Sequence, residues 1–344
     1  MNLNKTKQDS CAKGTNWLIT GGCGFLGTML IQRLVSEEGN NIRVVDNLSV
    51  GSHDDLNKVC VFEEKMINQL TKQFDETQVE LIVGDILDRE LAIEVTGGCD
   101  VIVHFAANTG VGPSVEDPRA DMEANVIGTF NYLEAARINQ VPRFIFASSG
   151  APAGEVTPPI HEELPPHPVS PYGASKLAGE GYCSAYKRTF GIDTVMLRFG
   201  NVYGPGSLHK SSVVAKFIRR ALSGKILETY GDGHQTRDFI YIEDLIDAVF
   251  LAATTKGIGG EAFQIATNVE TTIGEMADML VCELNKQGIT HIDMINGEAR
   301  LGDVRRNFSD TTKAKKRLGW QPHVNLATGI RKTVEYFVNE QIYR

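Results

Sequence analysis

Tyr172 and Lys176 stand four residues apart in the run Tyr172-Gly173-Ala174-Ser175-Lys176. On a helix that spacing puts a phenol and an ammonium on one face. A phenol titrates near pH 10 and is a poor base at neutral pH. A fixed positive charge beside it favours the phenolate and brings the group toward working range. Upstream, a strand ending in Ser148-Ser149 offers a hydroxyl that can share the proton of a substrate alcohol. These parts suit reversible oxidation of a sugar carbinol, given a hydride acceptor opposite. The Tyr-x-x-x-Lys spacing arises often by chance on helix surfaces, so its weight comes from the motifs around it.

The first of these lies near the start of the chain. Asn16–Thr20 is a short apolar run, Gly21-Gly22-Cys23-Gly24-Phe25-Leu26-Gly27 follows it, and Thr28–Val35 has helical periodicity. A second apolar run, Ile42–Val45, ends at Asp46. Strand, glycine turn, helix, strand and acid form the unit that binds a dinucleotide. Gly21 and Gly24 let the backbone turn sharply and approach a pyrophosphate, whose charge suits the helix N-terminus, and Gly27 allows close helix–strand packing. Asp46, about 20 residues past the turn, is placed to hold adenosine-ribose hydroxyls. A carboxylate there repels a 2′-phosphate and no arginine follows it, which favours NAD over NADP. Asp85, after the strand Val79–Val83, is placed to accept from an adenine amino group, with Ile86 beside it. The run Val101–Ala107 ends in small residues that allow backbone approach to the dinucleotide, and His104 inside it reads as a packed histidine.

Strands near 16–20, 42–46, 79–83, 101–107, 143–148 and 193–199 alternate with helical stretches near 25–37, 118–139 and 173–190. That alternation predicts an α/β fold with a doubly wound parallel sheet covered by helices on both faces. The segment 52–78 is longer than a tight connection and is expected to hold one polar helix. Beyond about residue 200 the pattern becomes irregular, with Gly204-Pro205-Gly206 and Gly231-Asp232-Gly233 marking turns, which predicts a smaller mixed α/β lobe. The expected organisation is a polar extension over 1–15, a dinucleotide-binding domain with the catalytic residues over 16–200, and a mainly substrate-binding lobe over 201–344.

At 344 residues and 42% hydrophobic content the chain can bury a large core, and no apolar run reaches membrane-spanning length. A formal charge of −9 argues against a general nucleic-acid binder, so an anionic small substrate needs a local cationic pocket. The six cysteines show no paired metal spacing, predict no metal site, and read as reduced thiols of a cytoplasmic protein. No signal-peptide core is visible at the N-terminus.

With these residues in hand, the chain resembles the extended short-chain dehydrogenase/reductases, in particular the nucleotide-sugar epimerase and dehydratase group. The likeness runs from about residue 16 to 337. It is carried by Thr20–Gly27, Asp46-Asn47-Leu48-Ser49, His104–Ala107, Asn125–Thr129, Ser170–Lys176, Leu197–Gly206, Arg237–Asp244, Gly302-Asp303 and Leu318–Pro322. The resemblance implies a Rossmann fold with NAD as cofactor, Tyr172 as acid/base, Lys176 on the nicotinamide ribose, and Ser149 as third catalytic residue. Ser149 is preferred over Ser148 because counting back five residues from Gly154 matches the family's serine. The implied cofactor contacts are Gly21, Gly24, Phe25, Leu26, Gly27, Asp46, Asn47, Asp85, Ile86, Ala106, Ala107 and Asn125, together with Tyr172 and Lys176. Asn201, Arg237 and Arg300 match diphosphate contacts, and a planar guanidinium suits that bidentate task. Arg305 and Arg306 are extra cations that read equally well as a solvated surface pair. Arg198 and Asp303 read as structural, and Asp244 as a helix cap.

Family members that eliminate water or decarboxylate carry acids beside the catalytic hydroxyl, since dehydration needs a general acid for the leaving hydroxyl and a base for the C5 proton. Here Ser149 is followed by Gly150 and Ala151. Only the redox step remains, which points to a nucleotide-sugar epimerase acting most naturally at C4 of a UDP-linked hexose, N-acetylhexosamine or uronate. A dehydratase or decarboxylase with displaced acids, or a non-enzymatic dinucleotide-binding sensor or scaffold, are the alternatives; a pure binder has no need of the phenol. The family's Val-Tyr-Gly is here Pro152-Ala153-Gly154, which removes an aromatic wall. Asn307 matches a gatekeeper position where a large aromatic restricts the pocket to plain hexoses, so a roomy pocket is expected, with Arg305 available for a C6 carboxylate. Related enzymes pair two helices with their copies as a four-helix bundle. Ala124, Ile127, Phe130 and Leu133, with Leu177, Tyr182, Ala185 and Tyr186, recur at the spacing such a homodimer would use.

Overall fold

The structure is a computed structural model that describes residues 14–71, 74, 79–298 and 304–342. Residues 1–13 of the polar extension, Arg300 and Gly302-Asp303 lie outside the described residues. The chain opens with β1 (Thr15–Thr20), α1 (Phe25–Val35), β2 (Asn40–Asp46), α2 (His53–Asn57), β3 (Phe62–Glu64), β4 (Val79–Val83), α3 (Arg89–Val95) and β5 (Val101–His104). It continues through α4 (Val111–Glu116), α5 (Pro118–Met122), α6 (Thr129–Ile138), β6 (Arg143–Ser149), α7 (Pro171–Phe190) and β7 (Asp193–Phe199). Beyond residue 200 come β8 (Asn201–Tyr203), α8 (Val213–Leu222), β9 (Leu227–Tyr230), β10 (Thr236–Arg237), β11 (Phe239–Tyr241), α9 (Ile242–Thr254) and β12 (Glu261–Ile265). The last elements are β13 (Thr271–Thr272), α10 (Ile273–Lys286), β14 (Met294–Gly297), α11 (Thr312–Leu318) and α12 (Leu326–Ile342).

Eight strands form one parallel sheet in the order β3-β4-β2-β1-β5-β6-β7-β12. The order reverses at β1, and the crevice beyond the carboxyl ends of β1 and β5 is where this architecture binds dinucleotides. Successive side chains of a strand point to opposite faces, and the buried strands divide accordingly. Trp17, Ile19, Val44, Leu81, Val103 and Ile145 enter one core with α1 and α9, while Leu18, Val45, Ile82, Ile102, Phe144 and Phe146 enter the other with α3 and α6.

Several expectations needed correction. The strand expected over 101–107 stops at His104, because the Phe105 and Ala106 N–H groups both turn to the Thr20 carbonyl at 3.1 Å. The 52–78 segment holds α2, then the edge strand β3 paired with β4, and a short 3₁₀ turn at Ile67–Gln69. The helix expected over 118–139 is α5 and α6 joined by a wide π turn over Glu123–Gly128. Beyond residue 200 the chain is more regular than its turns suggest. Its strand β12 completes the sheet beside β7, and α9 packs on α1, so the 16–200 segment does not supply the whole sheet.

The helix that carries Tyr172 and Lys176 is set by local signals. The Ser170 hydroxyl accepts from Gly173 N at 3.1 Å, Pro171 occupies the first turn, and Gly191 closes the helix at φ +78°. Its buried face lies on β6 so closely that a Cβ on Gly179 would stand 2.4 Å from the Phe146 ring.

Candidate active site

The glycine turn is built by close backbone approach. Gly21 adopts φ +68°, and a Cβ there would meet Ala106 N at 2.8 Å. A Cβ on Gly27 would meet the Gly21 carbonyl oxygen and Gly22 Cα, both at 2.4 Å. These contacts press Phe25, Leu26 and Gly27 at the start of α1 against the ends of β1 and β5. The helix N-cap is Gly24, which offers no side-chain cap, and the first turn holds no acid. Its leading N–H groups therefore lack an intrahelical partner and a neutralising carboxylate, which makes this end an anion site.

Asp46 is fixed across from it. One carboxylate oxygen accepts from Cys23 N at 2.9 Å and the other from Leu48 N at 2.8 Å, so the acid is aimed by the turn itself. Asn47 donates to the Asp85 carboxylate at 2.9 Å, and Asp85 also accepts from Leu87 N at 2.9 Å. Ile86 is buried against Gly128 in the π turn. Glycine turn, uncapped helix, ribose-side acid and the Asp85 edge together fit a dinucleotide. Ala106 and Ala107 line the path between them as half-buried small residues.

Asn125, expected at the cofactor, is committed to protein partners. Its amide accepts from Asn108 N at 2.8 Å and donates to Asn108 O, Asp121 and Ser175 at 2.9 to 3.0 Å. The π turn thus ties the segment after β5 to the catalytic helix, a use of π turns that recurs at functional sites. His104 is buried between Thr20 and Thr129, and burial pushes its pKa down to about 3, so it stays neutral as a packed residue.

Ser149, Tyr172 and Lys176 converge at the end of β6. The Lys176 ammonium donates to the Ala147 carbonyl at 3.0 Å and lies 5.9 Å from the centre of the Tyr172 ring. The Ser148 hydroxyl donates to Glu180 at 2.6 Å, while Ser149 faces the phenol. Glu180 in turn takes Arg198 in a buried bidentate pair at 2.9 and 2.7 Å, which makes Arg198 structural. Burial pushes the Tyr172 phenol up to about 12; the Ser149 hydroxyl pulls it back and the Asp121 carboxylate adds to the rise. Burial outweighs any lowering of the phenol by Lys176, whose ammonium donates to Ala147. Burial also pushes Lys176 down to about 8, opposed by Asp121.

Asp121 is the residue that the sequence reading missed on this side. It is 1% exposed, and one of its carboxylate oxygens has no hydrogen-bond partner. Burial pushes its carboxyl up, while Ser175 and Lys176 pull it back. Its spacing four residues before Asn125 was the available signal.

On the other side of the site, Asn201 lies in β8, its N–H on the Asp238 carbonyl at 2.7 Å. Arg237 in β10 donates to the carbonyls of Thr236 and Val304 at 2.6 and 2.8 Å. Asn307 comes to the catalytic loop: a Cβ on Gly150 would lie 3.9 Å from both polar atoms of the Asn307 amide. Arg305 is engaged by Asp232 at 3.0 Å and Arg306 by Glu270 at 2.7 Å, both as exposed surface pairs. Ala153 is buried at 3% exposure, so the small residue there sits inside the packed loop. Asp244, expected as a helix cap, instead clamps the C-terminal segment, accepting from His323 N at 3.0 Å and Val324 N at 2.9 Å. Asp238, unassigned from sequence, is buried and accepts from Thr267, Asn268 and Ser309, holding two distant segments beside Arg237.

The chain is similar to known proteins along nearly its whole length. The UDP-glucose 4-epimerase of Mycolicibacterium smegmatis is 35% identical over 328 residues, which is 94% of this chain and 98% of that one. The structure of UDP-glucose 4-epimerase from Thermotoga maritima with UDP-glucose matches with a TM-score of 0.84 at 34% identity, over 95% of this chain and all of that one (100%). UDP-glucuronic acid 4-epimerase from Bacillus cereus, in complex with UDP-glucuronic acid and NAD, matches with a TM-score of 0.83 at 28% identity, over 96% and 100% of the two chains. Residues 17–266, from the first strand of the sheet through the last to join it, match the NAD dependent epimerase/dehydratase family, and the chain belongs to that family, with NAD as its cofactor.

Proposed function

We propose that this chain interconverts a UDP-sugar and its C4 epimer. The observation that carries the reading is the surroundings of Ser149. The hydroxyl and the Tyr172 phenol face one another, while Gly150 and Ala151 follow in the place of an acid–base pair for elimination. NAD, when bound, supplies the hydride acceptor and a positively charged ring. Tyr172 then takes the hydroxyl proton of the sugar, relayed through Ser149, and returns it after the sugar has presented its other face. Lys176 holds positive charge beside the phenol and favours its ionised form. The 4-epimerases similar to this chain support the same assignment.

The cofactor contacts follow the glycine turn, Asp46 with Asn47, and Asp85. Asn201, Arg237 and Arg300 are assigned to the nucleotide-sugar diphosphate. Asn307, opposite Gly150, is the gatekeeper, and its small size admits a 2-acetamido group. The Arg305–Asp232 pair lowers the case for a C6 carboxylate at Arg305.

The assembly we propose is a homodimer through α5–α6 and α7. Ile127 and Tyr182 are 43% and 42% exposed on this face, and Phe130 meets Tyr182 edge-on at 5.3 Å. Leu133 and Tyr186 turn inward instead. Among the described residues the cysteines are free, which suits a reducing, cytoplasmic compartment, and no helix is long and apolar enough to cross a membrane.

The test is to incubate the NAD-loaded protein with UDP-glucose, UDP-N-acetylglucosamine and UDP-glucuronate and separate products by chromatography with mass detection. An epimer of unchanged mass is expected. A product lighter by water or carbon dioxide would assign the chain to dehydration or decarboxylation, and no product from any of the three would overturn the reading.

A further inference from the structure

Consecutive residues at the end of β6 each hold one residue of α7. The Ala147 carbonyl accepts from the Lys176 ammonium at 3.0 Å, the Ser148 hydroxyl donates to the Glu180 carboxylate at 2.6 Å, and the Ser149 hydroxyl meets the Tyr172 phenol. Tyr172, Lys176 and Glu180 follow one another at four-residue spacing, so they share one face of the helix. Lys176 and Tyr172 belong to the proton-transfer group. The attachment of Ser148 to Glu180 has no part in the chemistry described so far, yet it is built more heavily than the others. Glu180 also takes Arg198 at 2.9 and 2.7 Å, and the Ser148, Glu180 and Arg198 side chains are all buried. Arg198 stands opposite Ser148 in the β6–β7 ladder, as Phe199 stands opposite Ser149. The carboxylate therefore joins α7 to both strands at the level of Ser149. Ser148 lies on the face of β6 that carries Phe144 and Phe146, and successive strand residues point to opposite faces, so anchoring its side chain fixes which way the chain turns Ser149.

We propose that Ser148 and Glu180, held by Arg198, are positioning residues for the proton transfer: their clamp sets the register of α7 on β6 and with it the approach of the Ser149 hydroxyl to the Tyr172 phenol. A buried ion pair is a costly way to gain stability, since apolar groups of the same volume often serve as well. Its short, directional bonds hold only one placement of helix on strand, which apolar side chains do not. Both residues act through Ser149, and neither exchanges a proton with the sugar. The inference rests on the roles given above to Ser149 and Tyr172.

Ser148→Ala, Ser149→Ala and the double variant would be compared with wild type as NAD-loaded proteins, on whichever of the three UDP-sugars wild type epimerises fastest. Ser148→Ala leaves the Glu180–Arg198 pair in place, so the chain should fold and retain NAD as wild type does. Its kcat should fall roughly tenfold or more with KM nearly unchanged, because small misplacements of reacting groups slow chemistry without weakening binding. In the Ser149→Ala background the same substitution should change kcat by less than about twofold, because the group it positions is gone. Glu180→Gln, which keeps the shape and removes the charge, should lower kcat in the same pattern in the chains that retain NAD. The inference would be overturned by wild-type kcat in Ser148→Ala or Glu180→Gln, by losses from Ser148→Ala and Ser149→Ala that simply multiply, or by a fall in kcat no larger than the fall in retained NAD. Each of these would leave the epimerase reading intact. Wild-type protein that epimerises none of the three sugars would overturn that reading and the inference with it.

Discussion

Around the glycine turn, functional groups are fixed by neighbours one turn or one strand away, whereas those beyond residue 200 are fixed by segments far apart in sequence. Asp46 is aimed by Cys23 N and Leu48 N, and Tyr172 is placed by the Ser170 cap of its own helix. Arg237 and Asn307 depend instead on Asp238, which gathers Thr267, Asn268 and Ser309, and on Thr236, whose hydroxyl accepts from Asn307 N at 3.3 Å. The difference teaches where damage should stay local and where it should spread. A local motif loses one function when one group is removed, while a cross-linked lobe loses its shape.

The largest effect expected lies in the local half. Tyr172→Phe should lower kcat roughly 10²–10⁴-fold while NAD stays bound, because it removes proton transfer alone. Near wild-type turnover would remove Tyr172 from the mechanism, and simultaneous loss of NAD would break the claim of locality. On the other side, Asp238→Ala leaves four donors, one of them fully buried, without their acceptor and should cost roughly 1–3 kcal/mol of stability. Denaturant titration checks this; a variant as stable as wild type would show that the lobe does not depend on that hub.

Asp46→Ala should weaken NAD about tenfold, and it also leaves the Cys23 and Leu48 N–H groups without their acceptor. A native preference for NADP would refute the assignment of Asp46 altogether. A smaller, directional effect is expected from Asp121→Asn. Lys176 favours the phenolate only while protonated, so kcat/KM should fall as pH rises through about 8. Asp121 stabilises the ammonium, so removing its charge lowers the Lys176 pKa and moves that limb to lower pH. An unmoved limb would leave Asp121 a packing residue only.

The mildest prediction concerns the lobe. Asn307→Tyr should reduce kcat/KM for UDP-N-acetylglucosamine about tenfold relative to UDP-glucose, the scale expected of a steric gate. Equal values for both sugars would show that the wall facing Gly150 does not select. If the substitution also destabilised the fold, it would sharpen the contrast between the two halves.

Much of this architecture could be read from the chain alone, because its signals are local. Alternating apolar runs, the glycine turn, the Ser170-Pro171 start of the catalytic helix and the acid after β2 each operate within a few residues. These determined the parallel sheet, the dinucleotide crevice and the Tyr172–Lys176 pair on one helix face. What only the tertiary structure decided were interactions between distant segments. β12 joins the sheet beside β7 across more than sixty residues of intervening chain, and its five residues carry no mark of their partner. Ser149 rather than Ser148 faces the phenol because Glu180, on another element, takes the first hydroxyl and anchors Arg198. Asp121, whose charge acts on Lys176, and Asp244 clamping residues 323–324 share that cause. A charged side chain owes its role to the desolvation and partners that folding brings, and those are set by packing between segments that the linear order keeps apart.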